Sequence, residues 1–163
     1  MWLRREFHGV TQVVELTTWL PAPPNSVWQH LQTSALLHHV AAPLIRFEPH
    51  DGAFPDRWHS GEYRADMLLF GLIPLGWQAI VIEQPEPLGD IRFLRDNGYG
   101  PLIKRWDHWI AIGTEEGGTR YLDQVTINAG PLTPVVAQFA RAFYAYRQRR
   151  WRELAGTGFA ALA

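Results

Sequence analysis

A curved antiparallel sheet of seven strands wrapped around one long C-terminal helix, an α+β fold, is what the sequence predicts. Three observations lead there. From residue 44 to residue 128 the apolar residues recur with period two, interrupted only by short clusters of Gly, Pro, Asn and Asp. Between residues 21 and 43, prolines bracket two short helical segments. From Thr133 the pattern changes to the helical period of about 3.6 residues and holds to about residue 154.

Each element follows from its residues. Residues 10–20 are rich in β-branched side chains and contain no Gly or Pro, which predicts a long first strand. Pro21-Ala22-Pro23-Pro24 ends it. Asn25 or Ser26 suits the capping of a short helix carrying Val27, Trp28 and Leu31. Thr33-Ser34 starts a second through Leu36, Leu37 and Val40, and Pro43 stops it. Strands are then expected at about 44–49, 57–70, 76–84, 90–96, 103–114 and 119–128. The short loops between them favour antiparallel neighbours. Thr133 is placed to cap the last helix, with Pro134 at its first position and Gly156 and Gly158 at its end. At about 100° per residue, Leu132, Val136, Phe139, Phe143, Tyr146 and Leu154 share one stripe, with Gln138, Arg141, Gln148 and Arg152 opposite. Arg150 falls inside that stripe and Arg147 at its edge. Both are expected to lay their stems along apolar surface with their heads in water.

Composition bounds the function. The chain of 163 residues is expected to form a single domain, with its core at about 8–155. It is 47% hydrophobic and 19% charged, which excludes a disordered chain. The formal net charge of −1 argues against nucleic-acid binding, which needs a summed positive field. Without cysteine there is no disulfide framework, thiol nucleophile or thiolate metal site, a usage that suits the cytoplasm. The segment Met1 to His8 lacks the apolar run of a secretory signal, and no stretch reaches the ~18 apolar residues of a spanning helix, so no stable membrane insertion is expected. Aromatic residues make up 13% of the chain, which supplies rigid apolar surface to a core or to a ligand site.

The last hairpin assigns faces. With Glu115 to Gly118 as its loop, Thr114 opposes Thr119, Ile112 opposes Tyr121, Ile110 opposes Asp123 and His108 opposes Val125. One face then carries Trp106, His108, Ile110, Ile112, Tyr121, Asp123, Val125 and Ile127. It is the more apolar of the two and is expected to face the helix. His108 and Asp123 are two polar groups on this otherwise apolar face, diagonal neighbours within reach of a hydrogen bond. Trp109 points the other way, where it could mark a partner surface or pack under a loop.

Several stretches are familiar in their order. Thr18 to Trp28, with its Pro21-Ala22-Pro23-Pro24 run, resembles the strand-to-helix entry of the SRPBCC superfamily, the START-like and birch-pollen-allergen-like group that includes polyketide cyclase/dehydrase and lipid-transport domains. Gly100-Pro101-Leu102, Trp106-Asp107-His108, Gly117-Gly118-Thr119 and Asp123 resemble its second half, and Phe143-Tyr144-Ala145-Tyr146-Arg147 resembles a segment of its final helix. The likeness spans residues 12 to 155 and is closest to small stand-alone bacterial members. It implies a helix-grip fold with an internal hydrophobic cavity. It does not fix a reaction, because members bind or transform very different ligands.

The chemistry expected on this frame is modest. His108 and Asp123 are either a pair that satisfies itself inside the protein, or a unit that orients a ligand or shuttles a proton. His38 and His39 are adjacent and diverge on a helix, and no HExxH, GxGxxG or GxSxG pattern occurs, so neither a metal nor a cofactor is expected. Arg147, Arg149, Arg150 and Arg152 suit a helix C-terminus more simply than nucleic acid. The favoured function is binding of a hydrophobic small molecule, such as a lipid, isoprenoid, polyketide or aromatic compound, between sheet and helix. Trp28, Trp106, Ile110, Tyr121, Val125, Phe139, Phe143, Tyr146 and Arg150 are the expected ligand contacts, beside His108 and Asp123. The alternatives are a cyclase or dehydratase using His108 as general acid/base, and an interaction module with a vestigial cavity.

Overall fold

A computed structural model describes residues 11–163; the readings made on Met1 to His8 and on Val10 lie outside the described residues. In chain order the elements are β1 (Gln12–Leu20), α1 (Pro24–Leu31), α2 (Ser34–Ala41), β2 (Ile45–Pro49), β3 (Gly61–Leu69), β4 (Ile73–Glu83), β5 (Arg92–Gly98), β6 (Arg105–Glu115), β7 (Gly118–Asn128) and α3 (Thr133–Gly156), followed by a 3-10 turn at Ala160–Leu162. The seven strands form one sheet in the order β1-β7-β6-β5-β4-β3-β2, every neighbour antiparallel. β1 and β2 are consecutive strands at opposite edges. The chain therefore has to cross the whole sheet between them, and α1 and α2 make that crossing at one end.

The expected seven-stranded sheet, long helix and two short helices are all present. The β6–β7 register is the expected one: Ile112 faces Tyr121, Ile110 faces Asp123 and His108 faces Val125. The strand expected at about 57–70 begins only at Gly61. Trp58 is instead buried in the core, where its backbone N–H donates to the Gln32 carbonyl and its ring meets Phe54 and Tyr63. Thr33 caps α2 as expected, accepting from Leu36 N–H, but no side chain caps α1. Thr133 does not cap α3 either. Its hydroxyl accepts from Ala129 N–H and donates to the Gly130 carbonyl, which ties the helix entry to the end of β7.

The phase of α3 differs from the expected stripe. Ala137, Ala140, Tyr144, Arg147, Gln148, Trp151 and Ala155 are buried, whereas Leu132, Val135 and Phe139 are exposed. Only Phe143 and Leu154 of the expected stripe are fully buried, and Gln148, expected in water, is buried too. The reason is steric. Ala137 and Ala140 let the helix backbone approach the sheet over Val14, Val125 and Ile127. Large side chains on that line would hold it off. Further along, Trp151 and Leu154 join Leu20, Ile112 and Tyr121 in the main core. The helix thus leans on the β1–β7 edge and leaves the inner face of the remaining strands uncovered by its backbone.

Candidate functional site

The uncovered face is roofed by large side chains rather than by the helix backbone, and beneath them lies a cavity of about 270 Å³. Its size is just below the ~300–1,000 Å³ usual for small-molecule sites. Ile80 and Ile82 of β4, Leu94 of β5 and Ile110 of β6 form the floor. Val136, Phe139, Phe143 and Tyr144 of α3 form the roof. Leu31, Leu36 and Leu37 from the two short helices close one end. Leu102, Val135 and Phe139 belong to the wall and are also exposed to solvent, so they mark its mouth.

Polar groups interrupt this apolar wall. His108 on β6 has Asp96 of β5 directly across from it in the ladder. Its Nε2 lies 2.7 Å from Asp123 Oδ1. The same Asp123 oxygen accepts from the Tyr121 hydroxyl at 3.2 Å, and Oδ2 accepts from Gln148 Nε2 at 3.0 Å. Asp123 thus acts as an acceptor throughout, which places the imidazole hydrogen on Nε2. Burial lowers the His108 pKa, and the Asp123 carboxylate opposes that shift. Burial raises the Tyr144 hydroxyl far above its ordinary range, so it remains a protonated donor.

Asp96 accepts a hydrogen bond from Val81 N–H, yet burial pushes its pKa up to about 7. This has a sign for stability. The unfolded chain releases the Asp96 proton near pH 3.8 and the folded protein holds it to about 7. The contribution is therefore complete below about pH 4 and is lost as pH rises through about 7, at up to about 1.4 kcal/mol per unit. Asp96→Asn keeps an acceptor for Val81 and is expected to remove that slope in urea unfolding between about pH 4 and 7. An unchanged slope would assign the pH dependence to another group.

Of the residues expected at the site, Trp106, His108, Ile110, Phe139 and Phe143 lie on the cavity wall. The others do not reach it. Asp123 stands behind His108. Tyr121 is covered by Trp151, with ring centroids 5.1 Å apart. Val125 lies under α3 in the Ala137–Ala140 cluster. Tyr146 turns away to donate to the Ala42 carbonyl, and Arg150 donates to the His39 carbonyl. Trp28 is half-buried on α1 with the Arg92 guanidinium 5.8 Å from its ring. The rotated helix phase accounts for Tyr146 and Arg150, and the lean of α3 over β1 and β7 accounts for Tyr121 and Val125. In their place stand Gln78, Asp96, Tyr144 and Arg147. The alternation Leu94, Asp96 on β5 is the signal that could have located Asp96 once β5 was set against β6. Trp109 is half-buried on the outer face, against Phe93 and under the Arg95 guanidinium 4.9 Å away. Among the described residues, no three His, Cys, Asp or Glu side chains are placed to hold a metal ion. No helix among them is long and apolar enough to cross a membrane.

Residues 18–154 match the family model described as "Domain of unknown function (DUF8410)". The chain belongs to the DUF8410 family. No curated protein matches this DUF8410 chain in sequence. Solved structures do match in shape. The DUF8410 fold is similar to TTHA0849 from Thermus thermophilus, at 15% identity and TM-score 0.62 over 90% of this chain and 98% of that one. It is similar to a START superfamily protein from Mycobacterium smegmatis, at 12% identity and TM-score 0.60 over 89% and 97%. Truncated norcoclaurine synthase from Thalictrum flavum is a third likeness, at 13% identity and TM-score 0.59 over 90% and 94%. The DUF8410 chain therefore has the helix-grip fold of the SRPBCC superfamily, as its sequence motifs led one to expect.

Proposed function

We propose that the protein binds a hydrophobic small molecule, of the lipid, isoprenoid, polyketide or aromatic kind, in the cavity between the sheet and α3. The observation that carries this reading is the hollow itself: an apolar wall built by the sheet, α3 and the two short helices, with a mouth at Leu102, Val135 and Phe139. Removing apolar ligand area from water at about 25 cal/mol per Å² would drive binding. The START superfamily name carried by one structural neighbour supports the same reading. A packed interior, as a vestigial cavity would give, fits the geometry less well. The test is titration with an apolar fluorescent probe. Binding is expected to quench or shift the tryptophan emission, with Trp106 on the wall as the main reporter. A change left intact in Trp106→Phe would take the probe away from this site, and absence of any binding would remove the reading.

A second reading, an enzyme of cyclase or dehydratase type, is favoured by one observation. His108 lies on the wall with Nε2–H held by Asp123, and its Nδ1 has no hydrogen-bond partner among the described residues. A ring so fixed offers a lone pair to a substrate proton. One structural neighbour is an enzyme, norcoclaurine synthase. On this reading His108→Ala is expected to cut turnover of the substrate by about 10²–10⁴ while binding survives.

A further inference from the structure

Three polar groups on the cavity wall, Arg147, Tyr144 and Gln78, share a property that the apolar wall does not explain: each carries a donor without an acceptor among the described residues. Arg147 is 6% exposed and lines the cavity. It forms no ion pair and no hydrogen bond among the described residues, and its Nε is buried without a partner. Its neighbours are instead two aromatic faces. The guanidinium carbon lies 5.6 Å from the Phe143 ring centroid and 5.2 Å from that of Tyr144. The Tyr144 hydroxyl accepts from Trp106 Nε1 at 3.1 Å, and its own hydrogen has no acceptor among the described residues. Gln78, also buried on this wall, has an amide nitrogen with no partner among the described residues.

A guanidinium does not escape burial by losing its proton. Burial works against its charge, and Asp123 and Asp96 favour it only from a distance, without contact. Neither carboxylate forms an ion pair with it. Asp123 is engaged by His108, Tyr121 and Gln148, and Asp96 by Val81 N–H. A buried cation held only by ring faces is costly unless something else neutralises it. The missing partner has to be anionic, offer acceptors and no donors, and fit a cavity that is otherwise apolar. A carboxylate has that chemistry, and its two oxygens match the fork of a guanidinium.

We propose that the ligand of this cavity is an aliphatic or aromatic monocarboxylate whose head is received by Arg147, with the Tyr144 hydroxyl and the Gln78 amide as further donors. The inference rests on the reading of the cavity as a binding site and names the class of molecule it takes. The apolar tail lies over Ile80, Ile82, Leu94 and Ile110. The charged and titratable groups around the head are Asp96 on β5, His108 on β6 with Asp107 on the outer face, Tyr121 and Asp123 on β7, and Tyr144 on α3 itself. Asp96 changes charge near neutral pH, with a pKa pushed up to about 7. Protonated, it leaves Arg147 to the ligand. Ionised, it competes for the same cation.

The experiment is calorimetric titration of the full chain with decanoate, decanol and decylamine, and with 2-naphthoate and 2-naphthol as the aromatic pair. The carboxylates are expected to bind at least tenfold more tightly than their alcohols, with decylamine weakest. Arg147→Met is expected to abolish the preference while the alcohols still bind. The wild-type preference is itself decisive should that variant fail to fold. Decanoate affinity is expected to fall several-fold between pH 6 and 8 and to stay level in Asp96→Asn. Equal binding of acid and alcohol by the wild type overturns the carboxylate and leaves the cavity reading intact. Binding of none of the five overturns both. A preference that survives in folded Arg147→Met overturns the assignment to Arg147. A level or rising decanoate affinity over that pH range overturns the placement of the head beside Asp96.

Discussion

Asp123→Ala is expected to destabilise the protein by about 3–5 kcal/mol, as unsatisfied buried donors cost ~1–3 kcal/mol each. Asp123 is 1% exposed and receives three donors, from His108, Tyr121 and Gln148. Gln148 keeps one alternative, since its amide also donates to the Leu16 carbonyl at 2.9 Å. The imidazole N–H and the Tyr121 hydroxyl have none among the described residues. Asp123→Asn preserves the shape but turns one acceptor into a donor, and is expected to cost about 1–3 kcal/mol. It is also expected to lower the His108 pKa further, because a neighbouring anion that favours the imidazolium is removed. Urea unfolding and an NMR titration of His108 measure the two effects. A His108 titration identical in wild type and Asp123→Asn would show the pair to be uncoupled.

Trp151→Ala is expected to cost about 3–5 kcal/mol, the range for deleting a fully buried large aromatic side chain. Trp151 has no exposed surface and packs against Tyr121 and, edge to face, against Phe159, with centroids 6.3 Å apart. Its indole N–H has no partner among the described residues, so no hydrogen bond among them is lost with it. The contrast with Phe143→Ala sharpens the test. Phe143 is also buried, but its ring already borders the cavity, so less new void is made and the cost is expected to be smaller. Denaturant midpoints of the two variants, measured side by side, check the order. A Phe143→Ala cost equal to that of Trp151→Ala would indicate a filled interior at Phe143.

These residues also show what sequence could disclose. The pairing of His108 with Asp123 follows from one hairpin loop, because the Glu115–Gly118 turn sets the register and alternation sets the faces. The sheet and its long helix follow from period and punctuation. The helix phase does not, because apolar bulk is a poor guide where contact is made through small residues. Ala137 and Ala140 carry little hydrophobic weight, yet they are the ones buried against Val14, Val125 and Ile127 of the sheet, and the bulkier Val135 and Phe139 are turned out to the mouth. The two arginines exchange roles for the same reason. Arg150, inside the expected stripe, reaches the His39 carbonyl away from the cavity, and Arg147, at its edge, is enclosed. Asp96 sits at the end of the expected fifth strand and inside the observed one, so its place opposite His108 depends on the β5–β6 register.

The most direct test of the central claim is native mass spectrometry of the wild type and of Ile80→Trp, in which a larger side chain occupies the cavity floor. Both proteins are incubated with the same apolar ligand and compared at equal folded fraction. A one-to-one complex is expected for the wild type and little or none for Ile80→Trp. Equal occupancy in the two proteins would contradict the claim and place the ligand outside the cavity.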